Sequence, residues 1–360
     1  MVTEKITVLG GGGVGLATAV HLSKKGFQVT LFELPEFSDA ISPFLKNKEI
    51  TFSGVLGKDS VKISNITTDV REALYDKKIL LLAAPATGHQ KFMEACIPFL
   101  EDGQIVVVET GYFAAMRFYG SIQKTGKNIL IVEMNLSPYT SSREGDNSIY
   151  IHSCRDDRSI AAMPATKTAG VMESLKNIYP GVSAAKNVLQ TSLDNANWIM
   201  HAPFALPFRG LFEREGNYVL PIKEAIIPSA LKLTTEMENE KELLGKAYGI
   251  ELPKFEHIFE EGGNWVEAMK KSPEFETWKL KYRNGFNTFM SEDLYFALPV
   301  VLQLADIAKI SVPLVKSFLC IFSIIDDIDY LKVGLNLKDI GLKGQDVEGI
   351  IRFVEEGISN

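Results

Sequence analysis

Cysteine is scarce in this chain. Its three cysteines lie far apart, at Cys96, Cys154 and Cys320, and no two of them form a CxxC pair. This spacing excludes a disulfide framework and provides no zinc motif, so a reducing compartment suits the protein. His257 lies in a glutamate-rich pattern but does not form HExxH, and we expect no catalytic metal.

An excess of positive charge and a long apolar run are also lacking. Lys and Arg number 38 against 45 Asp and Glu, and the net charge of −7 predicts no nucleic-acid partner and no anionic membrane partner. Apolar stretches such as residues 312–325 are too short for a membrane span. The first residues lack the pattern of a signal peptide, so we expect a cytoplasmic protein. The sequence leaves a homodimer open.

The length of 360 residues, of which 46% are hydrophobic and 23% charged, indicates a globular protein of two domains. In residues 1–187, apolar runs of strand length alternate with helical patterns, and these runs are residues 6–10, 29–33, 79–84, 105–109, 129–134 and 148–152. A helix is predicted over residues 163–178. This alternation predicts an α/β Rossmann-type domain built on a doubly wound parallel sheet.

Residues 188–360 have a different pattern, because long helical periodicities replace the alternating strands. The patterns cover residues 192–207, 219–248, 254–270, 293–308, 313–325 and 346–356, and Pro228 predicts a kink or break in the second of them. We therefore expect an all-helical C-terminal domain.

A glycine-rich turn follows the first predicted strand. Gly10 permits the tight turn, Gly12 lets the backbone approach a pyrophosphate, and Gly15 lets the next helix pack closely on the strand. A register that starts at Gly11 places Leu16 where a third glycine is needed. The helix N-terminus then offers its amides to the phosphates. The predicted phosphate-binding residues are Gly10, Gly12, Gly13, Val14 and Gly15.

Glu33, at the end of the second predicted strand, indicates which dinucleotide binds. A carboxylate at this position accepts hydrogen bonds from the ribose hydroxyls, whereas a 2′-phosphate needs a nearby arginine. Residues 34–45 contain no Lys or Arg, so NAD(H) is favoured over NADP. Ala84 and Pro85 follow the third strand at its carboxyl end, and we expect this turn to line the nicotinamide side.

One segment of the second half combines a histidine with polar neighbours. His201 follows Asn197 by one helical turn, so both side chains can face the same side. A histidine suits proton transfer because its ordinary pKa lies near neutrality. A histidine in an apolar helix is more often a satisfied core residue, and spacing leaves both interpretations open.

The chain resembles the opine dehydrogenases of the octopine and nopaline dehydrogenase family. The likeness lies in residues 197–203, 290–299, 133–143 and 334–344, and it covers nearly the whole chain. It implies that NADH reduces the imine of an amino acid and a 2-oxo acid to a secondary-amine dicarboxylate. It also implies that His201 is the acid/base and that Asp293 holds the imidazole in one tautomer. From local sequence alone, Asp293 is equally a helix N-cap.

The chain departs from the family in one place. An arginine that commonly precedes the acidic turn is replaced by Asn287 and Thr288. We expect Arg143 to bind the substrate carboxylate instead, with Asn197 as a second substrate contact; the alternatives are Arg283, Arg209 and Arg214.

Two other functions remain open. A ketopantoate-type keto reductase of the same plan would use a lysine on the first helix of the second domain, but residues 187–210 contain none. A protein that only senses NAD(H) would keep the glycine turn without turnover.

Overall fold

The computed structural model describes residues 4–215, 219–254, 269–281 and 288–358. The chain forms two compact units, Met1–Thr191 with Val354–Gly357 and Ser192–Phe353 with Ile358–Asn360. Several sequence predictions fall outside the described residues: most of the helical pattern over residues 254–270, with His257, and the positions of Arg283 and Asn287.

The strands of the described residues are named here in chain order. They are β1 (Lys5–Leu9), β2 (Gln28–Phe32), β3 (Glu49–Gly54), β4 (Asp59–Lys62), β5 (Asn65–Thr67), β6 (Ile79–Leu82), β7 (Ile105–Val108), β8 (Leu130–Met134), β9 (Tyr139–Arg143), β10 (Ser148–Cys154), β11 (Ser159–Met163), β12 (Ser183–Ala184), β13 (Val219–Pro221) and β14 (Lys279–Lys281).

The α-helices follow the same convention. They are α1 (Gly13–Lys24), α2 (Val70–Leu74), α3 (Ala86–Cys96), α4 (Ala114–Gln123), α5 (Thr168–Leu175), α6 (Val188–Leu193), α7 (Asn197–Ala205), α8 (Arg209–Glu215), α9 (Pro228–Ala247), α10 (Pro273–Thr277), α11 (Thr288–Glu292), α12 (Leu298–Ala308), α13 (Pro313–Asp326), α14 (Tyr330–Val333) and α15 (Val347–Glu356). Short 3₁₀ helices span Pro35–Ala40, Ser42–Phe44, Ile97–Phe99, Ala165–Lys167, Leu206–Phe208 and Ile222–Ala225.

An eight-stranded sheet forms the centre of the first unit. Its strand order is β12-β11-β8-β7-β6-β1-β2-β5, and all neighbours are parallel except β11 with β8. Every residue of β6 and β7 is buried, as expected for central parallel strands that are covered on both faces. This is the parallel sheet that the sequence predicts.

A second sheet of four strands, in the order β4-β3-β10-β9, belongs to the same unit. Helix α1 contacts β1 and β2 of the large sheet and also β9 and β10 of the small one. Its residues are buried almost all round, because a helix that lies between two sheets needs no polar face. The sequence predicted β10 as part of one sheet and missed β3, β4 and β9, whose residues are mostly half-buried or exposed.

The helix predicted over residues 163–178 is shorter than expected. Met163 ends β11, and α5 begins at Thr168 after a 3₁₀ turn. The reason is Pro164, because a proline disfavours helical geometry in the residue before it.

Helices dominate the second unit, in which α7 and α9 pack together and α9 also contacts α12 and α13. The structure corrects the expectation of a purely helical domain, because β13 and β14 pair as a small antiparallel sheet. The break predicted at Pro228 is a helix start: Pro228 is the first residue of α9, where its missing N–H costs no hydrogen bond. Within the described residues, no helix has both the length and the hydropathy to cross a membrane.

A buried carboxyl links three elements of the first unit. Glu109, just after β7, is fully buried and accepts hydrogen bonds from the hydroxyls of Thr18 on α1 and Tyr179 after α5. Burial raises the pKa of Glu109 to about 7, although the two hydrogen bonds oppose the shift.

This raised pKa predicts a pH dependence of stability. As pH rises from about 4.5 to about 7, the unfolded chain releases the Glu109 proton before the folded chain does, so the folded state loses stability. In urea unfolding at several pH values, the free energy of unfolding of the wild type should fall across this interval relative to Glu109→Gln. The exposed Glu101→Gln serves as control. A difference between wild type and Glu109→Gln that is constant with pH would contradict the assignment.

Candidate active site

The glycine turn has the geometry that a bound dinucleotide requires. Gly10 has a φ of +119°, and a Cβ on Gly15 would lie 1.8 Å from the Gly10 carbonyl oxygen, so α1 packs directly on the turn. A Cβ on Gly12 would meet no described atom within 4 Å. No side chain caps the N-terminus of α1 among the described residues. The turn therefore leaves open space beside an uncapped helix N-terminus, which fits a pyrophosphate.

The turn after β6 lies against the glycine turn. A Cβ on Gly10 would come within 3.1 Å of the Ala83 oxygen and 3.3 Å of the Ala84 nitrogen. Pro85 is the exposed N-cap of α3, and His89 Nε2 lies 3.0 Å from the Ala84 oxygen. Burial lowers the pKa of His89 to about 3, so the neutral ring donates from Nε2 to that carbonyl. This hydrogen bond stabilises the Ala84–Pro85 turn.

Glu33 lies beside the glycine turn, where the sequence predicts the ribose contact. The residue is 5% exposed, and its carboxylate accepts hydrogen bonds of 2.8 Å from the backbone amides of Gly11 and Leu34. Burial raises the pKa of Glu33, and the two amides and the charge of Arg143 oppose this rise. The amides hold the carboxylate in place at the end of β2.

Arg143 lies in the first unit, beside the same turn. Its Nη2 donates to the carbonyl oxygens of Gly11, at 3.2 Å, and of Ala40. The guanidinium also lies 5.5 Å from the centre of the Phe44 ring. These contacts lie at the predicted cofactor site. The binding of a substrate carboxylate by Arg143 stays a prediction.

His201 and Asp293 form a buried pair in the second unit. The Nδ1 atom of His201, on α7, lies 2.7 Å from Oδ2 of Asp293, and the residues are 3% and 0% exposed. The imidazole thus lies in the interior but is bonded to a carboxylate, which distinguishes it from a histidine with only apolar packing. The structure brings together the two residues that the family resemblance pairs.

Asp293 is not a helix N-cap. It begins a π-helical turn, Asp293–Ala297, which follows α11 and continues directly into α12. The wide turn has a local cause: Pro299 has no N–H to donate to the Tyr295 carbonyl, and its ring would crowd that oxygen. The Tyr295 carbonyl instead accepts a 2.7 Å hydrogen bond from the Leu335 amide. Single π turns inside helices occur frequently at functional sites.

Asn197 is the first residue of α7, so Asn197 and His201 are one turn apart on one helix. Its amide donates to Oδ1 of Asn195, at 3.0 Å, and Asn195 is fully buried. Sequence reasoning missed this contact, in which an asparagine side chain accepts from the backbone N–H two residues further on, a typical Asx turn.

The other arginines considered for the substrate differ in their surroundings. Arg209 Nε bonds Glu213 at 2.7 Å, and its Nη2 lies 2.8 Å from Asp326 Oδ1, so this guanidinium is committed to structural ion pairs. Arg214 is exposed on α8. No group of three or more metal-binding side chains occurs in the part of the chain that is described.

Two family models match the chain. Residues 5–115 match the N-terminus of NAD-dependent glycerol-3-phosphate dehydrogenase. Residues 184–325 match the alpha-helical domain of NAD/NADP octopine/nopaline dehydrogenase. Opine dehydrogenase of Arthrobacter sp. strain 1C is 25% identical over 98% of this chain and 99% of its own length. The helical part of the chain therefore matches the octopine/nopaline dehydrogenase family, and nearly the whole chain is similar to an opine dehydrogenase. The predicted resemblance to the opine dehydrogenases, the predicted fold class and the NAD(H)-dependent dehydrogenase class are thereby confirmed.

Solved structures extend the likeness to the whole fold. Octopine dehydrogenase with NADH and pyruvate superposes with a TM-score of 0.75, at 15% identity, over 97% of this chain and 98% of that one. A ketopantoate reductase from Ralstonia eutropha JMP134 superposes with a TM-score of 0.61, over 90% of this chain and 98% of its own. The opine dehydrogenase has the higher score, and both share the two-domain plan.

The glycine turn predicts opposite effects for two matched substitutions. Gly12→Ala adds a methyl group to open space at an ordinary φ of −74°, so the melting temperature should stay unchanged. It should weaken NADH binding by about tenfold or more, because the methyl group occupies space that the pyrophosphate needs. Gly15→Ala should lower the melting temperature, because its Cβ meets the backbone. Thermal unfolding and NADH fluorescence titration measure both, and undiminished NADH binding by Gly12→Ala would contradict the phosphate site.

Proposed function

We propose that this protein is an opine dehydrogenase that uses NADH to reduce the imine of an amino acid and a 2-oxo acid. The product is an N-(carboxyalkyl)amino acid, which contains a secondary amine. The observation that carries the proposal is the buried His201–Asp293 pair, within the region that matches the octopine/nopaline dehydrogenase family. Solved octopine dehydrogenases with pyruvate or with L-arginine support an oxo acid and an amino acid as the two substrates.

His201 supplies the proton in this reaction. Asp293 accepts the Nδ1 hydrogen of His201, which fixes the tautomer and stabilises the imidazolium. Proton exchange with the substrate nitrogen then takes place at Nε2. In the direction of reduction, the imine carbon gains a hydride, its nitrogen gains a proton, and the neutral imidazole recovers that proton from solvent.

The cofactor contacts are assigned to the first unit. Bound NADH supplies the hydride. The glycine turn and the N-terminus of α1 hold its pyrophosphate, and Glu33 accepts hydrogen bonds from the ribose hydroxyls. Ala84 and Pro85 line the nicotinamide side.

Asn197 is the proposed substrate contact, because it shares α7 with His201 and is only partly buried. We assign no substrate contact to Arg143, whose hydrogen bonds lie at the glycine turn. A cytoplasmic location and a homodimer are further parts of the proposal, and sedimentation of the purified protein tests the dimer.

A matrix of NADH oxidation assays tests the reaction. It crosses several 2-oxo acids with several amino acids, beside each oxo acid alone. Oxidation that needs both partners is expected. Oxidation with an oxo acid alone would instead support a keto reductase, and NADH binding without oxidation in any combination would support a sensor.

Substitutions at the buried pair test the residue roles. His201→Asn should lower kcat by about 10²-fold or more, since it removes the acid/base, and should leave NADH binding nearly unchanged. Asp293→Asn should lower kcat by up to about 10⁴-fold, because an amide can hold the imidazole in the other tautomer.

His152→Asn is the matched control, because His152 is a buried histidine on β10 that bonds Ser142 at 2.9 Å. Its kcat should equal that of the wild type. Turnover that survives His201→Asn at the wild-type rate would reject the assignment.

A further inference from the structure

The structure supplies a cation that the local sequence around Glu33 lacks. Residues 34–45 contain no Lys or Arg. Strand β9, far along the chain, carries Arg143 to the same turn. Gly11 links the two charges, since its amide donates to Glu33 and its carbonyl accepts from Arg143. A carboxylate and a guanidinium therefore flank one residue of the nucleotide-binding turn.

The Arg143 guanidinium retains donors for a further partner. Both of its hydrogen bonds, to Gly11 and Ala40, come from Nη2. Its Nε and Nη1 hydrogens have no hydrogen-bond partner among the described residues, and the side chain is partly exposed. The free edge of a guanidinium matches the geometry of a phosphate group.

The negative charge of Glu33 repels a phosphate that would bind the free edge of the Arg143 guanidinium. The carboxylate is held beside Gly11 by two amide hydrogen bonds, so it cannot simply turn away. A 2′-phosphate on the adenosine ribose would meet the negative charge of Glu33 and the positive charge of Arg143 together. The net attraction is then small.

We propose that Glu33 and Arg143 together set the choice between NAD(H) and NADP(H), and that the chain carries a 2′-phosphate site that Glu33 masks. The inference rests on the proposed use of NAD(H). It assigns Arg143 as a specificity-determining residue for the cofactor. It also implies that loss of the Glu33 charge alone, with no new arginine, admits NADPH.

Binding measurements test this, first with the wild type, Glu33→Gln, Arg143→Met and the double variant of the last two. The probes are NADH and NADPH, followed by nicotinamide fluorescence, and 2′,5′-ADP and 5′-AMP, followed by calorimetry. Glu33→Gln removes the negative charge but keeps a side-chain oxygen that can accept from the Gly11 amide, so the turn is preserved. Without that charge, nothing offsets the attraction of Arg143 for the 2′-phosphate. The affinity for NADPH relative to NADH should therefore rise by about 10- to 100-fold, the effect of one hydrogen-bonded charge pair.

The gain should depend on Arg143. In the double variant it should disappear, and in Glu33→Gln combined with Arg143→Lys it should persist in part, because lysine keeps the charge without the planar fork. Glu33→Gln combined with Arg71→Met is the matched control: Arg71 is exposed on α2, and the full gain should remain. Arg143→Met alone should weaken NADPH binding further while NADH binding is kept.

An unchanged NADPH to NADH ratio in Glu33→Gln would overturn the inference, and so would a gain that survives in the double variant. If Arg143 only holds the chain near Ala40, Arg143→Met lowers the affinity for NADH and NADPH equally, together with the melting temperature, and this also overturns it. Failure of the proposed reaction gives a different result, because it shows in the NADH oxidation assays and leaves these binding ratios as expected. Failure of the proposed use of NAD(H) leaves a wild type that binds neither dinucleotide.

Discussion

The hydrogen bond between His201 and Asp293 is the interaction on which the proposed chemistry of the second unit depends. A carboxylate with no exposed surface loses its hydration, which costs several kcal/mol unless a partner compensates for it. The imidazole is that partner, at 2.7 Å. The bond therefore joins α7 to the π-helical turn and fixes the ring orientation at once. A residue from outside the helix stabilises the π-helical turn. Pro299 has no N–H for the Tyr295 carbonyl, which accepts a hydrogen bond from the Leu335 amide instead.

The nucleotide-binding turn of the first unit depends on a different constraint, which is that backbone segments lie in direct contact with one another. Gly15 lets α1 lie on the carbonyl of Gly10, and the turn after β6 lies against Gly10 as well. The second sheet covers the other side of α1 and brings Arg143 to Gly11. The glycine turn thus lies beside a helix N-terminus, a carboxylate and a guanidinium. The balance of these charges bears on which dinucleotide the turn binds.

Much of the nucleotide-binding site and of the large sheet could be predicted from the sequence, because residues close together in the chain determine them. The glycine spacing, Glu33 at a strand end and the fully apolar β6 each follow from neighbours in the chain. The pairing of His201 with Asp293 came from family resemblance, since no periodicity connects residues so far apart. The place of Arg143 could not be predicted: it depends on how β9 pairs with β10 in a second sheet whose strands have weak apolar patterns. The π turn likewise needs Leu335, a contact between distant residues.

The most direct test of the central interaction is nitrogen-15 NMR of the five histidines, with the His201 signals assigned by their loss in His201→Asn. We predict that neutral His201 carries its proton on Nδ1, seen as a downfield, slowly exchanging hydrogen that disappears in Asp293→Asn. A neutral His201 protonated on Nε2, or a ring signal that is the same with and without the Asp293 carboxylate, would contradict this pairing.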